Sequence, residues 1–427
     1  SVAGMVGISV YILADTFFIS VYAGADGLAM LNLVLPVYGV IYAIGSMIGI
    51  GSATRYGINR AKGEDTGDYF LQSVFWCIFF SIPFMLTGFL APQKFLGLLG
   101  ADAKLAALGK SYLRIILTAS PLFMANYTFT AFARNDQATS VAMTASIAGS
   151  LFNIVFDYIL MFPCGLGLAG AALATAVCPA VTMLICGIHY LGRKNTVGFH
   201  WKRPGFSHLI SCCKMGISAF VGEISSAVIT IVFNMLILGL AGNTGVAAYG
   251  VVANTSLVAV ALFNGIAQGS QPLISEAYSK GNHKNITTYL KMAVTTTIGI
   301  AVLLVVCIYL YAPAITAVFN GEGNQVLASY AENGLRLYFI GFLFSGMNIV
   351  GTAILSSIES AKYAFFASIS RGFIAIIIFA FVLSALLGLN GVWLAFPAAE
   401  FVTMLITLYG LVKAIRKCNY SEPRQFS

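Results

Sequence analysis

Charge is what this chain lacks most: Asp, Glu, Lys and Arg are 9% of its 427 residues. A soluble domain needs about a quarter of its residues charged to present a surface to water. Hydrophobic residues are 59% of the chain and mean hydropathy is +0.88, so lipid must replace water over most of its surface. No polar stretch is long enough to fold as a soluble domain, so the net charge of +8 has nothing on which to build a nucleic-acid interface. The eight cysteines (Cys77, Cys164, Cys178, Cys186, Cys212, Cys213, Cys307 and Cys418) lack the paired spacings of metal or redox sites and read as free thiols. The four histidines, His189, His200, His208 and His283, fall at span ends or in loops and read as interfacial. A basic leader with a small-residue cleavage site is missing too, so no secretory signal is read. Residues 1–22 already form an apolar span, so native residues are expected to precede Ser1.

What is present is a series of apolar runs. A bilayer core of roughly 30 Å needs about 20 apolar residues per helical crossing. Breaks at charged, Gly and Pro positions define spans at 2–22, 27–57, 68–92, 106–132, 137–163 and 166–191. The second series runs 209–240, 245–278, 286–313, 327–356, 361–386 and 390–413. The fold class is therefore an all-α polytopic membrane protein with twelve transmembrane helices. Of 23 basic residues, 18 fall in one set of loops, among them Arg55, Arg60, Lys62, Arg134, Arg193, Lys194, Lys202, Arg371, Lys417 and Arg424. The alternate set holds Lys94, Lys104, Lys110, Arg114 and Arg336. The positive-inside rule puts both termini and the central loop in the cytoplasm, where basic loops meet anionic lipid.

The two series repeat one another. Gly24-Ala25-Asp26-Gly27-Leu28-Ala29 aligns with Gly242-Asn243-Thr244-Gly245-Val246-Ala247, and Lys62-Gly63 with Lys280-Gly281. Leu113-Arg114 aligns with Leu335-Arg336, and Gly167-Leu168-Ala169-Gly170 with Gly388-Leu389-Asn390-Gly391. Six spans per repeat is an even number, so both enter the membrane the same way round, as parallel pseudo-symmetric lobes. The expected organisation is an N-lobe at 1–191, a cytoplasmic linker at 192–208 and a C-lobe with a short tail at 209–427. Parallel repeats of this kind place a substrate site between the lobes near the midplane, with access alternating as the lobes rock.

A charge inside the bilayer costs at least about 2.5–3.5 kcal/mol on insertion scales and asks for a purpose. Asp15 falls about 10 Å below the outer end of span 1, Asp157 about 9 Å below that of span 5, and Thr175 about 14 Å into span 6. Asn153 stands one turn from Asp157 on the same helix face. Two carboxylates, an amide and a hydroxyl are hard oxygen ligands suited to a small cation such as Na+, or to sharing a proton. Helix-to-helix hydrogen bonding accounts for Asn153 and Thr175 but poorly for two aspartates. The repeat is an internal control: Asp15 aligns with Phe233, Asn153 with about Ala375, Asp157 with about Phe379 and Thr175 with about Phe396. A scaffold requirement would appear in both lobes. Glu223, halfway along span 7 and aligned with Met5, is the main acidic candidate of the C-lobe for a cationic substrate; pairing with Asn234 is the alternative. Glu400 is mid-span with no readable facing. Glu276, Glu359 and Asp136 fall at cytoplasmic helix ends, where pairing with Lys and Arg is expected.

Leu-Ala-Asp15-Thr-Phe-Phe-Ile-Ser followed by Ala-Gly-Ala-Asp-Gly-Leu-Ala resembles the first span and loop of the multidrug and toxic compound extrusion (MATE) family. So do Phe152-Asn153-Ile-Val-Phe-Asp157-Tyr-Ile-Leu and Gly167-Leu-Ala-Gly170-Ala-Ala-Leu-Ala-Thr175. Gly265-Ile-Ala-Gln268-Gly-Ser-Gln271-Pro272-Leu-Ile-Ser is similar to the MepA-like bacterial branch. The resemblance covers essentially the whole chain. It implies the fold of the MATE / MOP superfamily, two six-helix lobes exporting amphiphilic, often cationic drugs against inward Na+ or H+ flow. It also implies that Asp15, Asn153, Asp157 and Thr175 match the family's N-lobe cation-binding residues and that Glu223 matches an acidic position on span 7 in several branches. The further acid that some members carry in span 10 has no counterpart here beyond Glu332 near the outer end. No enzymatic activity, no resident cofactor and a monomer in the bacterial cytoplasmic membrane are expected. The competing reading is a lipid-linked saccharide flippase of the same superfamily, disfavoured because the intramembrane charges are acidic and the spans number twelve.

Overall fold

The computed structural model describes residues 2–99, 101, 103–192, 195–320 and 324–420. Arg193, Lys194 and Arg424 lie outside the described residues, as do the side chains of Met5, Lys417 and Cys418. Every regular element among the described residues is helical. In chain order these are α1 (Val2–Ala61), α2 (Tyr69–Leu90), α3 (Pro92–Leu98), α4 (Ala103–Thr118), α5 (Ser120–Asn135), α6 (Thr139–Met161) and α7 (Gly167–Leu191). They continue as α8 (Phe206–Ser279), α9 (His283–Phe319), α10 (Gln325–Phe339), α11 (Phe342–Ser357) and α12 (Ala361–Ile369), then a π-helical turn (Ser370–Ile374), α13 (Ala375–Leu387) and α14 (Leu389–Tyr420). Among the described residues nine helices are long and apolar enough to cross a membrane, or up to eleven when each of two bent pairs counts as one crossing. The bent pairs, α4 with α5 and α10 with α11, are the expected spans 106–132 and 327–356. The expected first span, 2–22, lies in α1 ahead of the counted stretch Leu33–Ala61.

A straight 60-residue helix would be about 90 Å long, three bilayer cores, and α1 is not straight. Tyr11 and Tyr42 share a side-chain hydrogen bond, although 31 residues of straight helix would part them by about 46 Å. The chain therefore turns back between them. Gly27 sits at that turn: a Cβ there would stand 2.7 Å from Ala23 Cβ and 3.2 Å from Ile19 Cγ2. In α8 the same reversal is explicit. Gly242 adopts φ 61°, ψ −159°, a conformation closed to side-chain-bearing residues, and the helix breaks into Phe206–Gly242 and Thr244–Ser279. There a Cβ on Gly245 would stand 2.5 Å from Ala241 Cβ and 2.8 Å from Ile237 Cγ2, the aligned partners of the residues around Gly27.

The chain divides into two compact units, Ser1–Glu223 and Ile224–Ser427, and each carries the same backbone landmarks. The bent pairs kink by 42° and 48°. The non-glycine residues with positive φ, Gln137 (60°) and Glu359 (54°), occupy aligned positions. So do Gly63 with Gly281 and Gly167 with Gly388. In the first unit α1 packs on α5 and α6, and α6 on α7. The first stretch of α8 belongs to this unit: Gly216 lies against the Met47 carbonyl and Gly51 against that of Cys212. In the second unit α13 packs on α14, and α11 on α9 and α14, around buried Phe233, Phe263, Phe342 and Trp393.

The stretch 195–203, expected as a linker, lies along the first unit. Val197 is buried, the His200 N–H donates to the Gly67 carbonyl at 2.7 Å, and Phe199 sets its edge on Phe70 and Tyr190. Lys202 reaches Asp65 at 2.9 Å and holds that carboxyl below the usual carboxylate range. Many of the basic residues assigned to loops lie on helices, among them Arg55 and Arg60 of α1 and Lys284 and Lys291 of α9, and two are drawn into the interior. Arg134 is buried in the last turn of α5, and Arg371 lies in the π-helical turn, where it is paired with Glu400.

Candidate functional site

The four oxygen-bearing residues expected to act together are all buried in the first unit: Asp15, Asn153, Asp157 and Thr175. Asn153 and Asp157 are on α6, one turn apart, and Thr175 faces them from α7. In the orientation that satisfies its neighbours, the Asn153 amide donates to Asp157 Oδ2 at 3.1 Å. Its carbonyl oxygen accepts from the Thr175 backbone N–H and hydroxyl at 3.2 Å each. Asp15 enters from α1 close enough for its charge to act on Asp157. One oxygen of each carboxylate, Asp15 Oδ1 and Asp157 Oδ1, is buried without a hydrogen-bond partner. An unmatched buried acceptor costs about 1–3 kcal/mol, more if ionised, and a proton or a small cation is what removes that cost. Among the described residues no cluster of three or more His, Cys, Asp or Glu is present, so any metal held here would be bound by a mixed set of carboxylate, amide and hydroxyl.

A hydroxyl pair borders these acids. Tyr38 and Tyr112 stand 3.2 Å apart, oxygen to oxygen, and Tyr112 feels both aspartates. Tyr38 and Tyr42 then set their rings against Phe123, and Tyr42 sets its ring edge on Tyr127. The Tyr127 hydroxyl donates to Glu223 Oε1 at 3.4 Å. Glu223 thus meets a tyrosine of α5, not Asn234, and belongs to the first unit, not the second.

In the second unit three of the four aligned positions are rings, and the fourth is Ala375. Phe233 and Phe396 are buried against Tyr338, the latter stacked at 4.1 Å, and Phe379 packs on the same core. The second unit's own polar cluster is elsewhere and is satisfied throughout. Arg371 Nε donates to Glu400 Oε1 at 2.5 Å, and its Nη2 to Ser345 at 3.0 Å. Asn348 donates to Glu400 Oε2 at 2.7 Å and accepts from Thr407 at 2.9 Å. Glu400, whose facing the sequence left open, therefore points at a fixed cation. The helix-end acids pair as expected where their partners are described: Asp136 with Arg60 and His189, and Glu276 with Lys280.

The MatE family model matches residues 1–159 and 219–382. The chain belongs to the MatE family. Its relatives include the multidrug export protein MepA of Staphylococcus saprophyticus subsp. saprophyticus, 26% identical over 93% of this chain and 88% of that protein. MepA of Staphylococcus aureus (strain MRSA252) is 25% identical with the same coverage, which places the chain with the MepA-like branch. A solved outward-facing multidrug resistance MATE transporter of the MOP superfamily superposes with a TM-score of 0.91 at 22% identity, over 98% of this chain and 94% of that one. The fold is therefore that of the MATE transporters. Sequence reasoning missed Arg134 and Arg371 as interior residues. Arg134 carries a readable signal, since it lies two helical turns from Tyr127 on one face of α5. The π-helical turn that holds Arg371 leaves no such mark.

Proposed function

We propose that the chain exports multiple amphiphilic, often cationic drugs across a bacterial cytoplasmic membrane, driven by inward Na+ or H+. In this reading Asp15, Asn153, Asp157 and Thr175 hold the coupling ion, Glu223 attracts the cationic group of the substrate, and lobes 1–191 and 209–427 rock about the linker 192–208 with both termini cytoplasmic. The observation that carries it is the pair of unpartnered, buried carboxylate oxygens at Asp15 and Asp157, set against aromatic rings at the aligned positions of the other unit. A buried acid left half-satisfied in one repeat and replaced by Phe in the other is suited to a mobile ligand, not to scaffolding. The MepA relatives, named as multidrug exporters, supply the substrate class.

The test is efflux of a lipophilic cation from proteoliposomes under an imposed Na+ or proton gradient. Wild type is expected to accelerate efflux with one of the two gradients, and Asp157→Asn to remove the gradient dependence. Gradient-independent flux in wild type, or an unaffected Asp157→Asn protein, would overturn the reading.

A further inference from the structure

Three tyrosines join the acid of α8 to the acids of the candidate ion site, all within the first unit. The Tyr127 hydroxyl, on α5, donates to Glu223 Oε1 at 3.4 Å. Tyr42, after the turn in α1, sets its ring edge on Phe123 at 5.8 Å and on Tyr127 at 6.1 Å between centroids. The Tyr42 hydroxyl is hydrogen-bonded to that of Tyr11, ahead of the turn. Tyr11 precedes Asp15 by four residues, one helical turn along the same face. Tyr42 thus stands between two acids, and it feels the charge of each, Glu223 and Asp15. The repeat shows what packing alone requires at these places. Tyr11, Tyr42 and Tyr127 align with Ile229, Val260 and Ile349, aliphatic side chains in or against the core of the second unit. The fold therefore does not ask for hydroxyls there, and they occur in the unit that leaves its acids open.

We propose that Tyr42 is a positioning residue for exchange: through its hydrogen bond to Tyr11 and its ring contact with Tyr127, it sets a cation at Glu223 against the coupling ion at Asp15. The proposal rests on the export reading above and adds the link between its two sites. An ammonium group at Glu223 competes with the Tyr127 hydroxyl for the carboxylate, and a released Tyr127 no longer seats the Tyr42 ring. A displaced Tyr42 draws Tyr11 with it, and with Tyr11 the turn of helix that presents Asp15 to Asp157. Coupling of this kind is reciprocal. The ion lowers affinity for the substrate by the same factor by which the substrate lowers affinity for the ion.

The experiment measures binding of tetraphenylphosphonium, a lipophilic cation, to the full chain in detergent by equilibrium dialysis. Affinity is taken with and without saturating Na+ at one pH, and at low and high pH without Na+. In wild type, Na+ or protons are expected to weaken binding about fivefold or more, the lower end of ordinary coupling between sites. The part of this effect that Asp157→Asn removes is the part that passes through the ion site. Tyr42→Phe keeps the ring and loses the hydroxyl, and it is expected to remove that same part. Its ion-free affinity is expected to stay within about twofold of wild type, because coupling and binding are separate quantities. Tyr11→Phe breaks the same hydrogen bond from the other side and should uncouple equally, with no further loss in the double variant. A wild-type ion effect in Tyr42→Phe, additive losses in the double variant, or an ion-free affinity lost along with the coupling would each overturn the inference and leave the export reading standing. A wild type whose affinity ignores both Na+ and pH would overturn the export reading itself.

Discussion

Asn153 is the residue through which the two ends of the candidate ion site are tied. Its amide feeds Asp157, and its carbonyl takes both the N–H and the hydroxyl of Thr175. Thr175→Val deletes the hydroxyl but leaves the backbone N–H for Asn153, so its cost is expected to be about 1 kcal/mol of stability, one net hydrogen bond. Asn153→Leu leaves Asp157 with neither oxygen partnered and is expected to cost about 1–3 kcal/mol. Both can be read from thermal unfolding in detergent. Titrating Na+ at fixed pH, and pH at fixed Na+, should show a ligand-induced rise in melting temperature in wild type, reduced in Thr175→Val and absent in Asp157→Asn. A wild-type response in Asp157→Asn in both titrations would sink the assignment. The quartet was legible in the sequence because intramembrane acids are few and the repeat gives each position a control. Glu223 was legible as an acid at mid-span but not as a partner of Tyr127, because the facing of a residue along a uniformly apolar helix leaves no periodic mark. Arg134 was hidden by the assumption that a basic residue near a span end reaches for the loop.

At the scale of elements, the helices approach closely where glycine removes the side chain. Glycine-mediated approach is a recurrent device where lipid gives no hydrophobic drive for helices to associate. A Cβ at Gly216 would stand 2.0 Å from the Met47 carbonyl oxygen, backbone that cannot rotate away. Gly222, six residues further along the same helix, has nothing within 4 Å of the equivalent position. Gly216→Ala is therefore expected to cost about 1–3 kcal/mol by overpacking, and Gly222→Ala to be neutral or to stabilise by up to about 1 kcal/mol through helix propensity. Unfolding midpoints of the two variants in the same detergent decide it, and equal midpoints would count against the close packing of α8 on α1. Most crossings could be placed from hydropathy alone, including the bent pairs, which read as single spans because the kinks at Ala119 and Gly341 interrupt the backbone without interrupting the apolar run. The causes of the kinks are local. Pro121 follows the first break, and Gly341 at the second lies under the Phe396 ring.

Across the whole molecule, the two units share their kinks and three aligned pairs of positive-φ positions and differ in where they keep charge. The first leaves two carboxylate oxygens open; the second closes Glu400, its one fully buried carboxylate among the described residues, with Arg371, Asn348 and the Asn348 partner Thr407. Arg371 does permanently for Glu400 what a mobile cation would do for Asp15 and Asp157. Breaking a buried pair from one side strands the other charge, so Arg371→Met is expected to destabilise by about 3–5 kcal/mol, whereas a hydrophobic replacement of both partners is often neutral or stabilising. The double variant Arg371→Met/Glu400→Met is thus expected to melt close to wild type, and its ion-driven efflux to survive, because the open acids are in the other unit. Thermal unfolding of the two single variants and the double variant gives the coupling free energy of the pair, and gradient-driven flux in proteoliposomes gives its functional weight. A double variant that folds normally yet loses its gradient dependence would place ion coupling in the second unit and refute the division of labour argued here.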